Sequence, residues 1–150
     1  MRTVVQRVSE ASVDVEGTEV GRIGRGLLVF LGVAGTDSTA DADWMVDKLL
    51  DLRLFENAAG QIDASVIDVQ GAVLMVSQFT LYADTRKGRR PSFSRAAAAE
   101  QAEPLYRRVL QGIAARGVPV GAGRFGAHML VRAVNDGPVT LIVDSPVPAS

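Results

Sequence analysis

Cysteine is absent from this chain of 150 residues, and histidine occurs once, at position 128. Without cysteine there are no disulfides, no thiolate metal sites and no cysteine nucleophile. A Ser-His-Asp system needs a histidine beside its nucleophile, and His128 is more typical of a partly exposed strand residue. One histidine among scattered carboxylates also makes no cluster of metal ligands, so we expect neither a metal nor a cofactor.

Long apolar runs and a strong net charge are lacking as well. The longest apolar run, residues 27–34, is far too short to span a membrane. Residues 1–8 carry charge inside their apolar stretch and lack the cleavage pattern of a signal peptide, so we expect a cytoplasmic protein without a membrane partner. A net charge of −1 argues against a protein that coats DNA or RNA along its whole surface, but it leaves one local phosphate contact open.

The apolar pattern predicts a single mixed α/β domain over residues 1–150, with a strand-rich sheet or partial barrel. Strands are predicted at residues 2–8, 12–16, 19–23, 27–31, 72–81, 129–134 and 139–143. Gly17 turns the second of these into the third, as in a hairpin. The runs that begin at residues 27 and 72 are continuously apolar, which is typical of strands buried on both faces. Residues 145–150 predict a flexible tail.

Two main helices complete the predicted domain. The first begins at Ser38, with Asp41 placed for a capping box, and continues to about Glu56. The second covers residues 98–116 and ends at Gly117. Pro104 falls in its first or second turn, so the helix either begins late or bends there.

Polar residues follow the second buried strand at the point where its apolar run ends. Ser77, Gln78, Phe79 and Thr80 come directly after the apolar residues 72–76. Hydroxyl and amide groups in this place indicate a small polar site. Hydroxyls that bond to neighbouring backbone in a buried strand explain the same pattern equally well.

The densest positive cluster of the chain lies a few residues further on. Arg86, Lys87, Arg89 and Arg90 place four cations within five residues. Because like charges repel one another, such a cluster favours an anion-binding rim, whereas a solvated loop is the ordinary explanation.

Residues 135–138, Asn-Asp-Gly-Pro, form an unusual turn between the last two predicted strands. Asp-Gly ordinarily indicates a hairpin turn, but Pro138 directly after Gly137 restricts that turn and removes a hydrogen-bond donor. Taken alone, the segment predicts a turn and no chemistry.

Together these motifs resemble the D-aminoacyl-tRNA deacylases. The resemblance extends from residue 1 to about residue 143 and is carried by two signature motifs, residues 77–81 and 135–140. Shorter matching pieces lie at residues 6–8, 11–13, 26–28, 31–33, 53–55, 83–85, 90–93 and 123–125. Either signature motif alone is weak evidence, whereas both in this order and at this spacing are strong.

The resemblance implies a homodimer that hydrolyses the ester joining a D-amino acid to the 3′ end of tRNA and also removes mischarged glycine. The Gly137–Pro138 peptide bond would be cis and would reach into the pocket of the other subunit. The implied site residues are Ser77, Gln78, Phe79 and Thr80 at the reacting centre and Arg7, Phe125, Gly137 and Pro138 at the substrate. With tRNA as the substrate, the positive charge of the cluster favours contacts to acceptor-stem phosphates through Arg86, Lys87, Arg89 and Arg90.

Two mechanisms of ester hydrolysis remain open. Thr80 is one possible nucleophile, although no base stands beside it in the sequence. The preferred hypothesis is that backbone N–H groups of Phe79 and Thr80 stabilise the oxyanion while the 2′-hydroxyl of the RNA orients a water molecule.

Two alternatives have no catalysis: a dimeric RNA-binding module, and a structural dimer in which residues 135–140 only pair the subunits. A module that stacks bases needs exposed aromatic rings. The chain has only five Phe, two Tyr and one Trp, several of them in positions expected in the core, which disfavours that function.

Overall fold

The computed structural model describes residues 1–147, and these form one mixed α/β domain. The strands are β1 (Arg2–Val15), β2 (Thr18–Ile23), β3 (Gly26–Gly32), β4 (Phe55–Glu56), β5 (Ile62–Ala64), β6 (Ala72–Ser77), β7 (Val120–Ala122) and β8 (Leu130–Asp144). The helices are α1 (Thr39–Asp51) and α2 (Ala99–Ala115), and a short 3-10 turn, Phe79–Tyr82, follows β6. The predicted fold class, a strand-rich α/β domain with two main helices, is confirmed.

The long strand β1 organises the main sheet, because three other strands pair with it. β8 runs antiparallel along one edge of β1, while β3 and β2 pair in turn with the two halves of the other edge. β6 and β7 then extend the sheet in parallel to β3. β7 comes back close to β2, since a Cβ atom on Gly21 would lie 2.8 Å from the carbonyl oxygen of Ala122. The sheet is therefore a nearly closed barrel.

The predicted hairpin and both buried strands are confirmed. β1 and β2 are joined by Glu16 and Gly17, and both residues have positive φ values, of 51° and 77°. β3 and β6 pair in parallel from Gly26–Ala72 to Leu31–Ser77. Their apolar side chains are mostly buried on both faces, because α1 and α2 cover one face while the other face packs against side chains of β1 and β2.

The first helix begins as predicted and ends earlier. The backbone N–H of Ser38 donates to the Asp41 carboxylate at 2.9 Å, which is one half of the capping box. The helix ends at Asp51 instead of Glu56, because Leu52 adopts an extended backbone conformation and Phe55–Glu56 pairs with β5.

The second helix covers nearly the predicted residues and contains Pro104 as its sixth residue. It does not begin late. The hydrogen bond that proline removes belongs to the exposed first turn, where water can satisfy the free carbonyl. Neither helix of residues 1–147 is long and apolar enough to cross a membrane.

The predicted strand at residues 72–81 is too long. Ser77 forms the last pair with Leu31, and the N–H of Gln78 then donates to the carbonyl of Leu31 at 2.8 Å. Since β3 ends at Gly32, no neighbouring strand is available beyond this point, and the chain turns into the 3-10 segment.

The prediction of two final strands joined by a turn is wrong. They are halves of one strand, β8, and both halves pair with β1. The register passes from Gln6↔Thr140 to Val8↔Asn135, so residues 136–139 bulge out of the ladder opposite Arg7. A turn motif can interrupt one strand in this way when a long neighbouring strand holds both of its sides.

Ser145, the first residue of the predicted flexible tail, is hydrogen-bonded to the rest of the domain. The Ser145 N–H donates to the Met1 carbonyl at 2.8 Å, and its hydroxyl donates to the Asp41 carboxylate at 2.8 Å. Residues 148–150 lie outside the described part of the chain.

Candidate active site

A cavity of about 450 Å³ opens at the end of β6. Ser77, Gln78 and Phe79 form one side of it, and residues 125–129 form another. Leu31, Val33, Ala97, Ala102 and Val131 contribute apolar surface. The site is therefore mostly apolar, with a few polar groups on one side, which is the composition typical of small-molecule sites.

Polar groups face the cavity here because strand pairing of β6 with β3 stops at Ser77 and the chain then turns. Gln78 has an intermediate backbone conformation (φ −143°, ψ 79°), and the 3-10 turn begins at the next residue. The first hydrogen bond of that turn runs from the Leu81 N–H to the Gln78 carbonyl at 3.3 Å. The N–H groups of Phe79 and Thr80 precede that bond, so the turn itself gives them no acceptor.

Thr80 is set apart from the other three residues of its motif. It is exposed and does not line the cavity, whereas Ser77, Gln78 and Phe79 do. The Nε2 group of Gln78 donates to the Thr80 hydroxyl oxygen. No basic side chain of residues 1–147 is hydrogen-bonded to that hydroxyl.

On the opposite side of the cavity, Phe125 packs against the hydrophobic core. The ring of Phe125 packs at 5.8 Å from the ring of Tyr106, measured between ring centroids. The Tyr106 hydroxyl donates to the Met75 carbonyl in β6 at 3.1 Å, and burial raises the pKa of this tyrosine to about 12. Tyr106 stays a neutral donor at physiological pH and connects both sides of the cavity.

His128 lies in the wall of this cavity, which sequence analysis did not predict. It is exposed, and it is the one ionisable side chain among the residues that line the cavity. The sequence also did not predict that Ala127 and Met129, on either side of it, line the cavity. Residues 126–129 carry no periodic pattern, and only the neighbouring Phe125 motif could have directed attention to them.

Arg7 holds the bulged segment of β8, residues 136–139, which we call the Gly-Pro loop. Its Nε group donates to the Asp136 carbonyl at 2.9 Å, and its Nη1 group donates to the Leu54 carbonyl at 2.8 Å. The Arg7 side chain is largely buried, and the Asp136 carboxylate lies 3.8 Å from its Nε. Two carbonyls and a nearby carboxylate compensate the buried guanidinium.

The Gly137–Pro138 peptide bond is cis, and Gly137 has a φ of 136°. A Cβ atom at Gly137 would lie 2.8 Å from Nη2 of Arg7 and 2.9 Å from Cγ2 of Val139. Only glycine fits this position without displacing its neighbours. The Asn135 side chain closes the loop by donating to the Thr140 hydroxyl at 3.0 Å.

The two signature motifs occupy separate places in one chain. Gly137 and Pro138 are exposed and are not among the residues that line the cavity. The structure thus brings Ser77, Gln78, Phe79 and Phe125 together around the cavity. It joins Arg7 with Gly137 and Pro138 elsewhere.

The predicted basic cluster forms an exposed loop, residues 86–90, which we call the basic loop. Two backbone hydrogen bonds between Asp84 and Ser92, of 2.7 and 2.9 Å, close its base. Arg86 is committed to Asp84 at 2.6 Å, and this contact lowers the pKa of the Asp84 carboxyl to about 2. Lys87, Arg89 and Arg90 take part in no ion pair within residues 1–147, so they carry the available positive charge.

Residues 1–147 contain no group of three or more His, Asp or Glu side chains placed to hold a metal ion.

Several solved structures share this fold, among them the following two. One is the "c-Myc DNA Unwinding Element Binding Protein", with a TM-score of 0.93 and 43% identity over 98% of this chain and 100% of that one. The other is described as a probable eukaryotic D-amino acid tRNA deacylase, with a TM-score of 0.84, 23% identity, and coverage of 95% and 98%. The chain is therefore a single-domain α/β protein with the same nearly closed sheet and two helices as these solved structures.

Sequence comparison narrows this class to one family. The family described as D-Tyr-tRNA(Tyr) deacylase matches residues 4–144. A D-aminoacyl-tRNA deacylase of Desulfitobacterium hafniense is 57% identical over 145 residues, which are 97% of each chain. Those of Opitutus terrae and Myxococcus xanthus are 56% and 55% identical over 97% and 100% of this chain, and over 97% and 98% of their own. The chain belongs to the D-Tyr-tRNA(Tyr) deacylase family, and the membership predicted from its motifs is confirmed.

Proposed function

We propose that this protein hydrolyses the ester bond of D-aminoacyl-tRNA and releases the free D-amino acid and tRNA. Family membership over nearly the whole chain supports a hydrolase of this class. The observation that carries the proposal is the Gly-Pro loop, a backbone device held out of the sheet by Arg7.

The Gly-Pro loop enters the cavity of a second copy in this account. Within one chain the loop is exposed and lines no part of the cavity, so a homodimer would complete the site. β8 also exposes Leu130, Val134 and Ile142 by 53%, 50% and 70%. Such apolar side chains on one strand favour burial against another protein surface, here the same strand of a second copy.

Discrimination between mirror-image substrates then works by exclusion. Backbone carbonyls of the Gly-Pro loop accept hydrogen bonds from the substrate α-ammonium group and leave no room for a side chain of L configuration. A D side chain points outward, so its identity matters little. Glycine has no side chain to exclude, so glycine mischarged on tRNA-Ala is also removed, and the enzyme proofreads chirality in translation.

The ester is cleaved with little help from side chains. Water adds to the carbonyl carbon, and the bond to the ribose 3′-oxygen breaks. One proton of the water goes to the 3′-oxygen and the other is released to solvent, so the products are a carboxylate and a 3′-hydroxyl. The N–H groups of Phe79 and Thr80 stabilise the oxyanion, an effect worth about 2.7–4 kcal/mol per donor. The 2′-hydroxyl of the terminal ribose orients the water, since the Thr80 hydroxyl accepts from Gln78 and is bonded to no basic side chain among residues 1–147.

The basic loop supplies the electrostatic part of tRNA binding. Three exposed cations follow the cavity motif by a few residues: Lys87, Arg89 and Arg90. Positive charge at this place would pair with phosphates near the 3′ end of a bound tRNA. Contacts of this kind raise affinity with little sequence preference.

Stereoselective turnover tests the function directly. We expect the protein to deacylate D-aminoacyl-tRNA and to leave the L-aminoacyl form intact. Gly137→Ala should lower D-substrate turnover about 100-fold, because the new Cβ displaces the Gly-Pro loop from Arg7 and Val139. Release of radiolabelled amino acid from both tRNA forms measures this.

Gly60→Ala is the matched control. Gly60 also has a positive φ, of 77°, and a Cβ there meets nothing within 4 Å, so this variant should keep full activity. Full activity of Gly137→Ala would refute the exclusion mechanism. Binding of both tRNA forms without hydrolysis of either would leave an RNA-binding protein with no catalytic function.

The source of the activated water can be tested by removing one hydroxyl at a time. Thr80→Ala should retain turnover within about threefold, because its hydroxyl is outside the cavity. A D-aminoacyl-tRNA ending in 2′-deoxyadenosine should react at least about 100-fold more slowly, which is the lower end of the typical contribution of one positioned acid–base group. The opposite result, with Thr80→Ala inactive and the deoxy substrate normal, would establish the nucleophile mechanism. Single-turnover rates are the measurement.

Salt dependence tests the basic loop. Arg89→Ala with Arg90→Ala should reduce the slope of log affinity against log salt concentration by about 1.5, because two phosphate contacts are lost. Lys48→Ala, which removes an exposed cation from α1, should leave the slope unchanged. Filter binding of uncharged tRNA at several salt concentrations gives the slopes, and an unaltered slope in the double variant would place tRNA elsewhere.

A further inference from the structure

Two phenylalanines form an exposed aromatic pair, Phe79 and Phe93. Their ring centroids are 5.1 Å apart at an interplanar angle of 70°, an edge-to-face arrangement. Phe79 is 55% exposed and Phe93 is 37% exposed. In this geometry one ring presents its edge, so at least one aromatic face remains free for another planar group.

Phe93 is fixed in place by the backbone on both of its sides. Ser92 forms the two hydrogen bonds with Asp84 that close the basic loop. The Ala96 N–H donates to the Phe93 carbonyl at 3.0 Å, and the Ala97 N–H donates to Val33 at 2.9 Å. An exposed ring on such a segment is already positioned for a ligand and loses little freedom on binding.

The aromatic pair lies between the two parts of the site. Phe79 lines the cavity, where the ester would be cleaved. Phe93 follows Ser92 at the base of the basic loop, where phosphates would bind. The bases of a strand that runs from the loop to the cavity therefore pass this pair.

We propose that the aromatic pair, in which both rings are exposed, stacks an unpaired base in the last two nucleotides of the tRNA. This inference rests on the proposed function and adds a specific element of substrate recognition to it. Exposed cations of the basic loop beside the pair favour a nucleic-acid occupant through charge complementarity. Stacking uses the flat face that every base has, so the pair holds the 3′ end without selecting a sequence.

Phe93→Leu and Phe93→Tyr separate stacking from apolar packing. The probe is an uncharged tRNA acceptor-stem hairpin with a single-stranded 3′ end that carries 2-aminopurine at its last or its penultimate position. Phe93→Leu should weaken binding at least about fivefold and reduce the fluorescence change of one of the two probes. Phe93→Tyr keeps a ring and should bind within twofold of the native protein.

Removing the base provides the second arm of the test. At the position that reports stacking, an abasic nucleotide should weaken binding to the native protein and leave Phe93→Leu unaffected. In deacylation assays Phe93→Leu should raise KM and leave kcat unchanged, because the reacting groups are intact. If both variants have the same melting temperature as the native protein, loss of folding does not explain the change in binding.

Three outcomes would overturn the inference. One is hairpin binding by Phe93→Leu within twofold of the native protein. Another is equal weakening in Phe93→Leu and Phe93→Tyr. The third is a change of oligomeric state in Phe93→Leu, seen by sedimentation, without a change in probe fluorescence, since a second copy would then cover the pair. The hairpin is uncharged, so these outcomes are independent of whether the protein hydrolyses D-aminoacyl-tRNA.

Discussion

The guanidinium group of Arg7 joins three parts of the chain that the sequence keeps far apart. It extends from β1, donates to the Leu54 carbonyl in the connection after α1, and donates to the Asp136 carbonyl in β8. A buried cation without partners is strongly unfavourable, so these acceptors and the arginine require one another. The long ladder between β1 and β8 provides the frame, and Arg7 fixes the shape of the segment that bulges from it. Arg7 and the hydrogen bond from Asn135 to Thr140 together hold the Gly-Pro loop.

The separation of loop and cavity explains why the cavity contains so few polar and ionisable side chains. The cavity offers Ser77, Gln78, His128 and apolar surface. In the proposed mechanism the enzyme accepts many D side chains, so a pocket shaped to one of them would bring no advantage. In the proposed dimer, chirality is tested by main-chain atoms, which cannot change rotamer, and the RNA contributes a hydroxyl. The positive charge proposed to attract the RNA lies outside the cavity, on the basic loop.

Local features of the fold were predictable from sequence, whereas pairing at a distance was not. A few adjacent residues are enough to predict each of three features: the Gly17 hairpin, the apolar strands β3 and β6, and the Ser38 cap. The end of β6 depends on where β3 ends, and the unity of β8 depends on the length of β1. The site divides in the same way. The motif at residues 77–80 was recognisable, but the exposure of Phe93 and the place of His128 in the cavity wall follow from tertiary contacts that composition cannot report.

Complementation between two inactive variants tests the central claim, that each site combines the cavity of one copy with the Gly-Pro loop of another. Gly137→Ala damages the loop alone, and Ala127→Trp fills the cavity alone, because Ala127 lines it. The two chains are co-expressed with different tags, mixed dimers are isolated, and hydrolysis of D-aminoacyl-tRNA is measured. The account predicts that the mixed dimer, with one intact site of its two, recovers about half the native activity. A mixed dimer as inactive as its parents would show that loop and cavity act within one chain, and would contradict the account.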